Sequence, residues 1–119
     1  MTEETKQQLM AAGVLVPEAL ERFMGNAGML ERFLKKFLED KNGAMLSEAM
    51  QAGDYAQAFM AAHTLKGVCG NLSMQSLYEK ASVVVEALRA QQTEAAQAEI
   101  QDFLSAYESM QDSIRRALL

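Results

Sequence analysis

Residues 54–72, DYAQAFMAAHTLKGVCGNL, have the pattern of an amphipathic helix. Asp54 is a favoured N-cap residue, and apolar residues recur after it at helical spacing. These apolar residues are Tyr55, Phe59, Ala62, Leu65, Cys69 and Leu72. At about 100° per residue they fall on one side of the helix, so we predict that this side is buried in a core.

Comparable patterns on either side predict a helical chain, with Pro17 as its one proline and no alternating stretch long enough for a strand. The predicted helices span residues 3–12, 17–24, 27–52, 55–72, 74–91 and 93–118. Gly43 marks a candidate bend in the third of them, and Ser73 is expected to cap the fifth. Very short connections force the four long helices to pack as antiparallel neighbours. We therefore predict an all-α fold, an up-and-down antiparallel four-helix bundle with short N-terminal helical additions.

The composition is globular, with half of the 119 residues apolar and 23% charged, and we expect a single domain over residues 1–119. The net charge of −5 argues against nucleic acid as a partner. No apolar run reaches the roughly 18 residues of a membrane span, and the N-terminus is acidic where a secretory signal is basic. We expect a cytoplasmic protein with no membrane partner. One cysteine and one histidine predict no metal site and no resident cofactor.

The helix quoted first carries a second, polar face. His63, Gly67 and Gly70 lie together, about 110° to 170° from the centre of the apolar arc. Each glycine inside a helix costs about 0.5 to 1 kcal/mol relative to alanine, so a compensating role is expected. We predict that both glycines leave clearance for a partner to reach the imidazole. Close packing between helices is the alternative for each.

An imidazole on such a face is suited to phosphoryl transfer, because this side chain is largely neutral and nucleophilic near pH 7. Lys66 follows His63 by three residues and lies on an adjacent rib of the surface. Its ammonium is placed to stabilise charge on phosphoryl oxygens, although many lysines on helix faces serve only solvation. Any Mg²⁺ is expected only in the partner.

The run H-x-L-K-G at residues 63–67, followed by Gly70 and Leu72, resembles the histidine-phosphotransfer (HPt) domain family of two-component phosphorelays. Gly53-Asp54, the segment 86–89 (EALR) and the segment 22–26 (RFMGN) add to the resemblance. It covers about residues 14–115, the expected core of the domain.

The resemblance implies a four-helix bundle whose exposed histidine is phosphorylated on Nε2 and shuttles phosphoryl groups between aspartates of receiver domains. It makes His63 the phosphoacceptor, Lys66 the charge partner and Gly67 the clearance residue. Three positions depart from the family pattern, which usually has glycine at Ser73 and small residues at Val68 and Cys69. We expect Ser73 to preserve the turn as a cap, and Val68 and Cys69 to alter packing rather than chemistry.

The function predicted from the sequence is that of a free-standing phosphorelay intermediate without kinase or other catalytic activity of its own. Its expected partners are receiver domains of response regulators, a hybrid sensor histidine kinase, or both, and it is expected to be a monomer. One alternative is a degenerate HPt-like adaptor that binds a receiver or kinase without transferring phosphate. Another is a helical interaction protein or cofactor-holding bundle, which requires a broad exposed apolar patch or ligands inside the core.

Overall fold

The computed structural model describes residues 1–119 and contains seven helices and no strand, so the prediction of an all-α fold is confirmed. The helices are α1 (Glu3–Ala12), α2 (Val16–Arg22), α3 (Ala27–Phe37), α4 (Asn42–Gln51), α5 (Tyr55–Asn71), α6 (Gln75–Arg89) and α7 (Thr93–Leu118). No helix is both long enough and apolar enough to cross a membrane.

The predicted four-helix bundle is confirmed. Helix α5 packs between α4 and α6, and α6 packs against α7. Helices α3 and α4 both contact α7 and together take the place of the first long helix. Twenty-nine buried apolar residues form one continuous core, and α1 lies against α7 as an addition to the bundle.

The first long helix is interrupted, but not at Gly43 as predicted. The interruption falls between Phe37 and Asn42, where the Asp40 carboxylate accepts hydrogen bonds from the Asn42 backbone N–H at 2.7 Å and side-chain amide at 2.9 Å. Gly43 lies inside α4 and is buried, and a Cβ there would stand 3.2 Å from Cε1 of Tyr107. This glycine therefore permits α4 to approach α7 closely and does not break the helix.

The turn between α5 and α6 also differs from the prediction. Met74, not Ser73, is the N-cap of α6, and it makes no side-chain capping bond. Ser73 adopts the left-handed conformation, with φ of 54°, and it is the one buried polar residue in the chain. Its hydroxyl accepts a hydrogen bond from Arg22 Nε at 3.1 Å and lies 3.3 Å from Glu18 Oε1, to which it donates. The side chain thus ties α2 to this turn instead of capping α6.

The turn between α6 and α7 contains a second residue in this conformation, Gln91, with φ of 58°. Its backbone N–H donates to the Leu88 carbonyl, and the next N–H donates to Ala87, which closes the end of α6. A residue with a Cβ is strained in this region, whereas glycine is not. The side chain of Gln91 is exposed, so nothing in the core depends on it.

We predict that Gln91→Gly raises the free energy of unfolding by about 0.5 to 1 kcal/mol, because relief of the strain exceeds the added flexibility of the unfolded chain. Urea unfolding measures the change. Gln92→Gly is the matched control, since Gln92 has φ of −91° and no strain to relieve. A loss of stability in both variants would show that Gln91 is not strained.

Candidate functional site

Helix α5 presents one buried and one open face. Asp54 caps the helix, as predicted, by accepting the Gln57 backbone N–H at 3.1 Å. The buried face is narrower and more alanine-rich than the apolar pattern predicts. It consists of Ala58, Ala61, Ala62, Leu65 and Cys69. Tyr55 is 45% exposed and Phe59 only partly buried, so these two predicted core residues lie at the edge of the core.

His63 lies on the exposed face of α5, as its position on the helix predicts. Its ring is 6.0 Å from the ring of Phe59, one turn earlier, and the two planes are inclined by 31°. The guanidinium of Arg89 on α6 lies 5.3 Å from the centre of the same Phe59 ring. The Phe59 ring therefore contacts both the His63 ring and the Arg89 guanidinium, so a positive charge from α6 lies near the histidine.

Lys66 extends toward α6 from the same face. Its ammonium lies 5.7 Å from the centre of the Tyr78 ring, and the residue is partly buried. A polar cavity of about 430 Å³ lies beside it, with Arg22 and Gly67 among its lining residues. The structure thus places Lys66 and Gly67 at one open cavity, next to His63 along the helix.

The two glycines of this face differ. A Cβ built on Gly67 would meet nothing within 4 Å, so Gly67 opens to solvent and does not allow closer packing between helices. A Cβ on Gly70 would stand 3.1 Å and 3.3 Å from Cδ1 and Cε1 of Tyr78. At Gly70 this contact favours the alternative of close packing between helices, because the missing side chain makes room for Tyr78.

An apolar cavity of about 530 Å³ lies next to this face, between α3 and the C-terminal part of α5. Val68, which follows Gly67, lines it together with Phe23, Phe33 and Phe37. Phe33 is 41% exposed, and the ammonium of Lys36 lies 5.2 Å from its ring centre. The departure at Val68 therefore extends an accessible apolar surface beside the histidine face.

The other two departures have structural explanations. Ser73 occupies a left-handed position, which explains why the family pattern has glycine there. Cys69 is fully buried, and its burial, aided by the negative charge of Asp40, raises the pKa of its thiol to about 12. A thiol held in its neutral form is a poor nucleophile. Cys69 therefore acts on packing, whereas Ser73 ties α2 to the turn through hydrogen bonds.

Sequence reasoning did not identify Tyr78 as part of this site. The apolar periodicity of α6 assigns it to the core, whereas its ring also lies against Gly70 and under the Lys66 ammonium. Arg89 belongs to the segment 86–89 that resembles the family, but its contact with Phe59 depends on how α6 crosses α5. Such contacts between helices leave no periodic signal within either helix. No group of three or more His, Cys, Asp or Glu side chains is arranged to hold a metal ion.

The fold and the site together define a helical bundle that presents one histidine on an open face beside a lysine and a glycine. A comparison with protein-family models matches residues 28–117 to the Hpt domain. The chain therefore belongs to the HPt domain family, whose members carry phosphoryl groups in two-component signalling and interact with receivers and kinases. These domains are phosphorelay carriers and not classical enzymes. Comparisons with curated proteins and with solved structures found no match.

The contrast between the two glycines generates a stability prediction. Gly67→Ala is expected to stabilise the fold by up to about 1 kcal/mol, because alanine is the better helix former and its Cβ meets nothing. Gly70→Ala is the matched control, and its Cβ would press on Tyr78. We expect it to be less stable than Gly67→Ala by at least about 1 kcal/mol. Thermal unfolding measures both, and equal midpoints would contradict the assignment.

Cys69 generates a prediction about pH. Its native pKa of about 12 lies above the ordinary 9.0, so the native state retains the thiol proton where the unfolded state loses it. Stability from this group is complete below pH 9 and is lost as the pH rises from 9 toward 12. The expected loss at pH 10 is about 1.4 kcal/mol.

Urea unfolding between pH 7 and pH 10 measures this loss. Cys69→Ala serves as the control, because it lowers stability at pH 7 by reducing packing but removes the thiol titration. The free energy of unfolding of this variant is expected to fall less steeply above pH 9 than that of the native chain. Parallel curves would show that the thiol is not responsible.

Proposed function

We propose that this chain relays phosphoryl groups between the aspartates of receiver domains through a phosphohistidine at Nε2 of His63. The observation that supports this most strongly is the position of the chain's only histidine, exposed on α5 one turn before the open Gly67. A second helix or side chain over Gly67 would prevent close approach, and none is there. The imidazole is thus accessible from the side on which a partner would dock.

The proposed transfer needs no atom beyond those of the two partners. The lone pair on Nε2 attacks phosphorus of the aspartyl phosphate, the new N–P bond forms, and the acyl P–O bond breaks. The aspartate leaves as a carboxylate, while the proton on Nδ1 stays on the ring. The reverse bond changes return the phosphoryl group to the aspartate of a second receiver.

Lys66 supplies positive charge to this transfer. Its ammonium neutralises the phosphoryl oxygens as charge redistributes over them in the transition state, and this stabilisation requires no proton transfer. We propose that the chain acts as a monomer in the cytoplasm, that any Mg²⁺ belongs to the receiver, and that a hybrid sensor kinase or a receiver supplies the phosphoryl group.

The apolar cavity beside the histidine face supports docking of a receiver. Phe33 and Val68 give a partner apolar area to bury within a few residues of Gly67. Lys36 on α3 is exposed and lines this cavity, where its charge complements an acidic surface. We propose that a receiver docked at this cavity presents its phosphorylated aspartate to the histidine face of α5.

Transfer of label from phosphorylated receivers tests this proposal. Receiver domains from the source organism are labelled with radioactive acetyl phosphate, freed of donor and mixed with the chain. We expect label to move to the native chain in an acid-labile, alkali-stable linkage, and His63→Gln to abolish it. Thr64→Ala, the exposed neighbour, is the control and is expected to retain transfer.

Two outcomes would contradict the relay. Label that reaches His63→Gln at the native rate would show that the phosphorylated residue is another one. Binding of receivers in calorimetry without any movement of label would favour the adaptor that binds but does not transfer. Gly67→Gln separates docking from folding, because it should block transfer while the bundle still unfolds cooperatively.

A further inference from the structure

Tyr78 on α6 is in contact with two residues of the histidine helix, and neither contact is required for an apolar core. Its ring carbons Cδ1 and Cε1 lie 3.1 Å and 3.3 Å from the position that a Cβ of Gly70 would occupy. The ring therefore lies directly against the backbone of α5. An alanine at this position would require the ring to shift by a few tenths of an ångström.

The ring of Tyr78 also lies under the ammonium of Lys66. The distance of 5.7 Å from Nζ to the ring centre is within the range in which the negative face of an aromatic ring attracts a cation. Lys66 precedes Gly70 by four residues, so both lie on the same side of α5 toward α6. Gly70 admits the ring, and the ring then meets the lysine.

We infer that Tyr78 is a positioning residue that restricts the Lys66 ammonium to the α6 side of the histidine face before the phosphoryl group arrives. A free lysine side chain samples many rotamers, and the aromatic contact narrows them. An oriented charge stabilises a transition state without having to be ordered during the reaction. The ammonium stays protonated and forms no covalent bond. The expected effect on the transfer rate rests on the proposed phosphotransfer, whereas the contact between Lys66 and Tyr78 can be tested without it.

The first measurement tests the contact without phosphate. Because the Nζ atom of Lys66 lies over the Tyr78 ring, the protons on the neighbouring Cε are expected to resonate upfield of ordinary lysine signals in the NMR spectrum. Tyr78→Phe keeps the ring and is expected to keep this shift, whereas Tyr78→Leu is expected to abolish it. An ordinary lysine shift in the native chain would overturn the inference, whatever the protein's function.

The second measurement tests the consequence at a saturating concentration of a labelled receiver, so that docking does not limit the rate. Tyr78→Leu is expected to slow transfer about two- to fivefold, which corresponds to the usual strength of an exposed cation–π contact. Tyr78→Phe is expected to stay near the native rate. The double variant Tyr78→Leu/Lys66→Ala is expected to be no slower than Lys66→Ala alone, because the tyrosine acts through the lysine.

The outcomes separate this inference from the relay itself. If the native chain accepts label and Tyr78→Leu is equally fast, the relay stands and the inference fails. It also fails if Tyr78→Phe is as slow as Tyr78→Leu, or if the double variant is slower than Lys66→Ala by the full factor of the tyrosine change. Tyr78→Met, with a flexible unbranched side chain of about the same volume as leucine, replaces Tyr78→Leu if the latter lowers the thermal midpoint.

Discussion

The burial of one side of α5 is the constraint on which the remaining structure depends. Leu65 and Cys69 anchor this side, and the alanines at 58, 61 and 62 let α4 and α6 approach the helix closely. A helix held on one side by two neighbours cannot rotate, so its opposite side has a fixed direction. His63 is consequently exposed, but its backbone position is fixed because α5 is the best-packed helix of the bundle. Rigid support and accessibility, which usually compete, are here properties of opposite sides of one helix.

Within that frame, small residues on α5 serve different ends according to the neighbour they face. Gly67 faces solvent, whereas Gly70 faces the Tyr78 ring, although the two glycines are only three residues apart. The lack of a side chain therefore leaves an open surface at Gly67 and permits a contact between helices at Gly70. Gly43 repeats the second use, because it brings α4 against Tyr107 on α7. The shape of the site depends as much on these absent side chains as on the side chains present.

The sequence predicts those features that depend on the residues of a single helix. Apolar periodicity and capping residues such as Asp54 identify the helices and the exposed position of His63, because both follow from spacing along a single chain segment. Turn conformation and contacts between helices are not encoded that way. The sequence therefore misplaces the break near Gly43, the role of Ser73 and the neighbour of Gly70. The residue type of Ser73 predicts a cap, yet its left-handed backbone and its hydrogen bond with Arg22 depend on how α2 packs against the turn.

The residues before the family match also belong to the packed structure of the domain. The match begins at residue 28, but Leu9, Val14 and Val16 are fully buried, and the Leu15 backbone N–H donates to the Ser73 carbonyl at 3.0 Å. Residues 14 and 74 even pair as a single bridge of extended backbone. The boundary of the family match is therefore not the boundary of the folding unit. A fragment that began at residue 28 would uncover apolar surface on α7 and would lose the hydrogen bond from Leu15 to the turn after the histidine helix.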